Sequence, residues 1–156
     1  VIELPDAIGT MHSDTTKLRQ ILFNLLSNAS KFTREGDVRL SVARRERDGE
    51  PWLEFRVTDS GIGMTPDQLT RIRQFEPFVQ ADEGIARQFG GTGLGLTISQ
   101  RFARLMGGTL TIDSDAGRGS TITFRVPAIL PDACWSEDAR LDHPSRVAAS
   151  APAIAD

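Results

Sequence analysis

Residues 18–33 read Leu18-Arg19-Gln20-Ile21-Leu22-Phe23-Asn24-Leu25-Leu26-Ser27-Asn28-Ala29-Ser30-Lys31-Phe32-Thr33. Leu18, Ile21, Leu22, Leu25, Leu26 and Ala29 recur at steps of three and four, the pattern of an amphipathic helix with one apolar face. At about 100° per residue, Asn24, Asn28 and Lys31 fall in a second stripe at the border of that face. Asn is a poor helix former, so two of them in mid-helix need a reason. Two readings are open: partly exposed amides, or amide oxygens that hold a hydrated Mg²⁺ while Lys31 meets phosphate.

Upstream, Ile2, Leu4 and Ile8 to Met11 are short apolar pieces broken by Pro5 and Gly9, which predicts one edge strand. Ser13 or Asp14 caps the helix, which runs to about Lys31. Downstream of Gly36, Val38, Leu40 and Val42 alternate with polar neighbours, and so do Leu53, Phe55 and Val57. The Asp48-Gly49 turn between them makes an antiparallel hairpin.

The second strand runs into Asp59-Ser60-Gly61-Ile62-Gly63. By period two, Asp59 shares the side of Leu53, Phe55 and Val57, so a carboxylate points toward the core layer. There it must find a donor or bear a desolvation cost. Gly61 and Gly63 remove side chains where something planar can lie against the backbone, although Asp-Ser-Gly is also a common turn.

Thr65 caps a short helix over residues 65–72, with Pro66 at its first position. Phe75-Glu76-Pro77-Phe78 follows, then residues 79–89, polar and without period, which suggest a flap. Gly90-Gly91-Thr92-Gly93-Leu94-Gly95-Leu96 leads into a helix with Leu94, Ile98, Phe102 and Leu105 along one face. Glycines at a helix N-terminus expose unpaired amides beside the positive end of the dipole, a ready anion site. The run lacks the Gly-x-x-x-x-Gly-Lys-Ser/Thr of Walker-type nucleotidases. Gly107-Gly108 ends that helix; Leu110 and Ile112, then Ile122, Phe124 and Val126, give two more strands around a turn at 115–119. Residues 128–156, rich in Ala, Pro, Ser and Asp, have the composition of a linker or tail that leads to a further domain.

A chain of 156 residues is long enough to bury one ordinary core, and residues 1–127 are assigned to it. No apolar run approaches the roughly 18 residues of a membrane helix, and no signal-peptide pattern opens the chain, so the segment is expected in the cytoplasm. A net charge of −3 without a basic stripe argues against a nucleic-acid partner. The lone Cys134 excludes an internal disulfide and a cysteine metal cluster, and His12 and His143 are too few for a metal site. A start at Val1 rather than Met suggests a piece of a longer parent protein, whose membrane anchoring the sequence leaves open.

The order and spacing of these motifs resemble the catalytic and ATP-binding domain of sensor histidine kinases, within the gyrase, chaperone, histidine kinase and mismatch-repair ATPase superfamily. The resemblance covers residues 13–127: Asn24 to Thr33 looks like the N box, Asp59 to Gly63 the first glycine box, Phe75 to Phe78 the F box, and Gly91 to Leu96 the second glycine box. The run from Phe75 to Leu96 is most similar to hybrid kinases that carry receiver domains.

That resemblance implies a two-layer α/β sandwich, the Bergerat-type ATP-binding fold: a mixed, mostly antiparallel sheet of about five strands with three helices on one face. It implies that Asp59, with Ser120, takes the adenine amino group, and that Asn28, with Asn24 nearby, holds Mg²⁺ on the phosphates. Lys31 would neutralise phosphate, Phe32 would pack near the nucleotide beside Gly61 and Gly63, and the backbone of Gly91, Thr92, Gly93, Leu94, Gly95 and Leu96 would receive phosphate oxygens. Residues 79–90 would form the lid. Gln80 stands where many family members have a basic residue, which leaves the γ-phosphate to Arg87 or a partner domain. The ATP-hydrolysing branch carries a general-base Glu one turn before the metal-binding Asn; here that position is Asn24, which cannot abstract a proton. The implied activity is therefore that of a protein-histidine kinase, with Asn24, Asn28 and Lys31 at its catalytic centre. Its partners would be ATP, a separate dimerisation domain bearing the acceptor histidine, and a response-regulator receiver domain. One departure stands out: Ile72 to Phe75 is longer than in the family, with Arg73-Gln74 extra.

Overall fold

The computed structural model describes residues 1–73 and 95–129. Helix α1 spans Thr15–Phe32. Its cap is Asp14 rather than Ser13: the Asp14 carboxylate accepts from the Lys17 amide (3.1 Å) and from Lys17 Nζ (2.6 Å). Asp14 is fully buried, so the cap and the ammonium together offset the cost of enclosing its charge.

The strands are β1 (Ile2–Glu3), β2 (Val38–Arg47), β3 (Glu50–Asp59), β4 (Thr109–Asp115) and β5 (Gly119–Pro127). They form one sheet in the order β1-β2-β3-β5-β4, with β1 parallel to β2 and every other pair antiparallel. The β2–β3 hairpin is longer than the apolar alternation suggested, because its tip carries Arg, Glu and Trp rather than aliphatic residues. It turns on Asp48 (φ 53°) and Gly49 (φ 80°), the two positive-φ residues that a tight hairpin needs to match strand twist.

Alternation assigns one sheet face to the core: Val42, Leu53, Phe55, Val57, Leu110, Ile112, Ile122, Phe124 and Val126 are buried there. Phe55 and Phe124, direct partners across β3 and β5, stack with centroids 5.7 Å apart. Ile21, Leu25 and Ala29 of α1 close over them, together with helices α2 (Pro66–Arg73) and α3 (Gly95–Leu105). Five strands and three helices on one face, among the described residues, give the expected two-layer α/β sandwich. Among those residues no helix is long and apolar enough to cross a membrane.

The fully buried positions of α3 are not the ones its apolar periodicity marks. Ser99 and Ala103 are the buried positions of that helix, joined by Met106 just past its end, whereas Leu105 is half exposed. These positions follow Ile98, Phe102 and Leu105 by one residue, and Phe102 still packs against the core beside them; small residues face inward where a helix must approach its neighbours closely. Leu94 lies outside the described residues, as do the F box, the lid and the tail from Leu130 onward. Hydrogen bonding of the sheet runs past Pro127, since the Ala128 amide donates to Pro51 O and the Ala128 carbonyl accepts from His12.

The opposite face is open and polar. Glu54 accepts from Arg125 Nε at 2.6 Å and Arg56 Nη2 at 3.2 Å, with Arg45 at 3.8 Å. Burial alone would raise the Glu54 carboxyl; the hydrogen bond and charge of Arg125, then Arg56 and Arg45, outweigh it and leave the pKa below the usual carboxylate range.

Candidate functional site

Asp59 ends β3 on the core face and is 8 % exposed, as its alternation required. It accepts from the Gly61 amide at 2.9 Å. Burial pushes its carboxyl above the usual range, against the pull of the Gly61 and Ser120 amides and of the Thr33 hydroxyl. Thr33 Oγ1 is buried and has no hydrogen-bond partner among the described residues. Thr33 is the C-cap of α1, so the end of the Asn-bearing helix and the end of β3 meet here.

Asp59 and Ser120 are direct partners in the β3–β5 ladder, and Ser120 in turn pairs with Ser114 on β4. The three polar side chains make a row across three strands, on the same face as Leu110, Ile112, Ile122 and Phe124. Ser120 Oγ lies 2.9 Å from Ser114 Oγ.

The loop after Asp59 is held by the protein's own backbone. The Ile62 amide donates to Phe32 O at the end of α1, and Ile62 O accepts from the Gly117 amide in the β4–β5 turn. A Cβ at Gly61 would strike Phe32 O, and one at Gly63 (φ 62°) would strike Asp115 O. These two glycines therefore serve close backbone contact within the fold, whatever else they admit. Ser60 ties the same loop to the α1–β2 connection, accepting from the Asp37 amide at 2.9 Å.

On α1, Asn24 Nδ2 donates to Gly95 O and to Ser99 Oγ, both at 3.2 Å. Both amide hydrogens thus fasten α1 to the start of α3, and Oδ1 is the atom left to face a ligand. Asn28, one turn on, is half-buried, and no described residue hydrogen-bonds its carboxamide. Lys31 Nζ stands 5.5 Å from the Phe32 ring centroid. No group of three His, Cys, Asp or Glu residues able to hold a metal exists among the described residues, so an ion beside Asn28 would have to bring most of its ligands with it. Gly95 and Leu96 open α3, half-buried against this helix; Arg87, Gly91, Thr92, Gly93 and Leu94 lie outside the described residues.

Residues 13–129, which hold the Asp59 row, the amide-bearing helix and the start of the glycine-led helix, match one known family: the histidine kinase-, DNA gyrase B- and HSP90-like ATPases. The chain belongs to that ATPase family. It is 41 % identical over 123 residues to the sensor histidine kinase RcsC of Escherichia coli K12, covering 79 % of this chain and 12 % of that protein. A hybrid signal transduction histidine kinase of Dictyostelium discoideum is 38 % identical over 129 residues, 82 % of this chain and 6 % of its own length. The chain thus spans a small part of the relatives it matches. Among solved structures, full-length ShkA in complex with AMPPNP superposes with a TM-score of 0.60 at 38 % identity, over 81 % of this chain and 25 % of that one. The mycobacterial sensor histidine kinase MprB gives 0.57 at 25 % identity, over 83 % and 84 %.

Within this ATPase family member, three residues escaped the sequence reading. Ser114 follows Leu110 and Ile112 at period two, so the alternation already placed it on the core face, where the β4–β5 register sets it opposite Ser120. Gln68 completes a reciprocal cap with Thr65, each side chain bonded to the other's amide, from a Thr-x-x-Gln pattern that was there to read. Arg73, noted only as an extra residue, donates through Nε and Nη2 to Ile112 O and through Nη2 to Asp113 Oδ1, which fixes the end of α2 to β4.

Proposed function

We propose that this chain is the ATP-binding catalytic domain of a two-component sensor histidine kinase. It would pass the γ-phosphoryl of ATP to a histidine on a separate dimerisation domain. The buried Asp59 beside Ser120, at the far end of the α1 edge from Asn24, is the observation that carries the reading. A carboxylate kept in the core layer makes sense as an acceptor for the adenine amino group, while Asn28 and Lys31 lie along the same helix toward the phosphates.

Asn28 Oδ1 is the hard neutral oxygen suited to Mg²⁺, with Asn24 Oδ1 a turn away. Bound with the triphosphate, that ion would supply positive charge to neutralise the phosphates. Lys31 would add a point charge at the phosphates, Phe32 would pack near the nucleotide, and the amides of Gly91 to Leu96, with Arg87 from the lid, would complete the cradle. In the transfer a nitrogen of the acceptor imidazole attacks the γ-phosphorus; the P–N bond forms as the bond to the β–γ bridging oxygen breaks, and ADP departs. Asn24, lacking a basic lone pair, leaves water without a general base, which favours transfer over hydrolysis.

The parent protein would act at the cytoplasmic side, with a receiver domain as the next phosphoryl carrier and no nucleic-acid partner. Incubation with labelled ATP, Mg²⁺ and a purified acceptor domain tests the reading: label on the histidine is expected. Label only in inorganic phosphate would make it an ATP-hydrolysing protein, and binding without turnover a nucleotide-binding module. Asn28→Ala should keep the fold and abolish Mg²⁺-dependent tightening of ATP; surviving metal dependence would assign the ligand elsewhere.

A further inference from the structure

Ser114 Oγ lies 2.9 Å from Gly119 O and 2.9 Å from Ser120 Oγ. A carbonyl can only accept, and a serine hydroxyl has one hydrogen. The Ser114 hydrogen is therefore committed to Gly119 O; were it turned to Ser120, two lone-pair oxygens would face each other at 2.9 Å. Ser120 must then be the donor to Ser114. Its remaining capacity is lone pairs only, and it stands directly across the ladder from Asp59, whose ionised carboxylate is likewise acceptor-only.

We propose that Ser114 is a positioning residue for specificity: by fixing the Ser120 hydroxyl as an acceptor, it makes this end of the site select a purine with an exocyclic amino group and reject one with a keto group. The inference rests on the adenine reading of Asp59 given above. An amino purine, or a water placed beside it, supplies hydrogens to both acceptors. A keto purine presents at its exocyclic position only lone pairs, and its one hydrogen on this edge, at N1, cannot serve both buried acceptors. With Ser114 truncated, the Ser120 hydroxyl turns freely and donates to the keto oxygen.

The test is calorimetric binding of ATP and inosine triphosphate, with Mg²⁺, to wild type, Ser114→Ala, the near-isosteric Ser114→Cys, and Ser114→Thr, each checked for folding by circular dichroism. Wild type is expected to prefer ATP by about a hundredfold. Ser114→Ala, and Ser114→Cys should the first not fold, is expected to cut that ratio about tenfold through a gain for inosine triphosphate. Ser114→Thr, which keeps the hydroxyl, should stay within about twofold of wild type. A selective wild type with an unchanged ratio in the folded Ala or Cys variant overturns the role of Ser114 alone. A wild type indifferent to the purine, or an Asp59→Asn variant that binds ATP normally, overturns the adenine reading beneath it.

Discussion

Asn24 of α1 and Ser99 of α3 are joined by a 3.2 Å hydrogen bond, the Asn donating to a fully buried hydroxyl. A residue that implied ligand chemistry thus holds two helices together. Asn24→Ala leaves Gly95 O and Ser99 Oγ without this donor and should lower stability by about 1–2 kcal/mol in urea titration. Asn24→Asp should be at least as damaging above pH 5 or so, because a carboxylate has no hydrogen for Gly95 O.

Asp59 is expected to bind through its ionised form. Asp59→Asn should weaken ATP by about ten- to a hundredfold, the worth of a hydrogen bond to a charged group, as read by calorimetry. Its pKa is raised by burial, so the stability it contributes is fully present below the ordinary carboxylate pKa and is lost as pH rises through the raised one. ATP affinity should move oppositely, climbing through the same window. The Asn variant should show neither trend.

Glu54 carries the reverse sign. Its lowered pKa means that its ion pairs stabilise the fold above the ordinary glutamate pKa and fail as pH falls through the lowered value. The arginines are 42–62 % exposed, so solvent screens the gain. Glu54→Gln should cost about 1 kcal/mol or less at pH 7 and low salt, with the gap to wild type closing at acid pH and in high salt. Denaturation midpoints across pH 2–7 check it.

Gly63 and Gly117 share positive φ, 62° and 76°, but not surroundings: a Cβ at Gly63 meets Asp115 O, whereas one at Gly117 meets nothing within 4 Å among the described residues. Gly117→Ala should cost about 1 kcal/mol of backbone strain, and Gly63→Ala clearly more, about 3 kcal/mol. Equal costs in urea titration would mean that the first glycine box is not seated on the β4–β5 turn.

Period-two alternation placed Asp59 in the core layer, and period 3.6 put Asn24 and Asn28 along one helix edge; repeats of this kind survive folding because burial enforces them, whereas Ser120 was reached only through the family resemblance. The fully buried positions of α3 gave no such repeat. There, close approach selects Ser99 and Ala103, and smallness gives no hydrophobic signal. The partners of Gly61, Gly63 and Arg73 are remote in sequence, and a glycine spared for a carbonyl looks the same as one spared for a ligand.

An open sheet has two flanks where another chain can add a strand and seed aggregation. Here β1 offers only two residues, and on β4 the Arg73 guanidinium occupies Ile112 O while Asp113 and Asp115 stand charged along the border. Arg73 thus covers one backbone acceptor of this border strand besides anchoring α2. Its removal should show first as turbidity on concentration or gentle heating, ahead of any loss of fold.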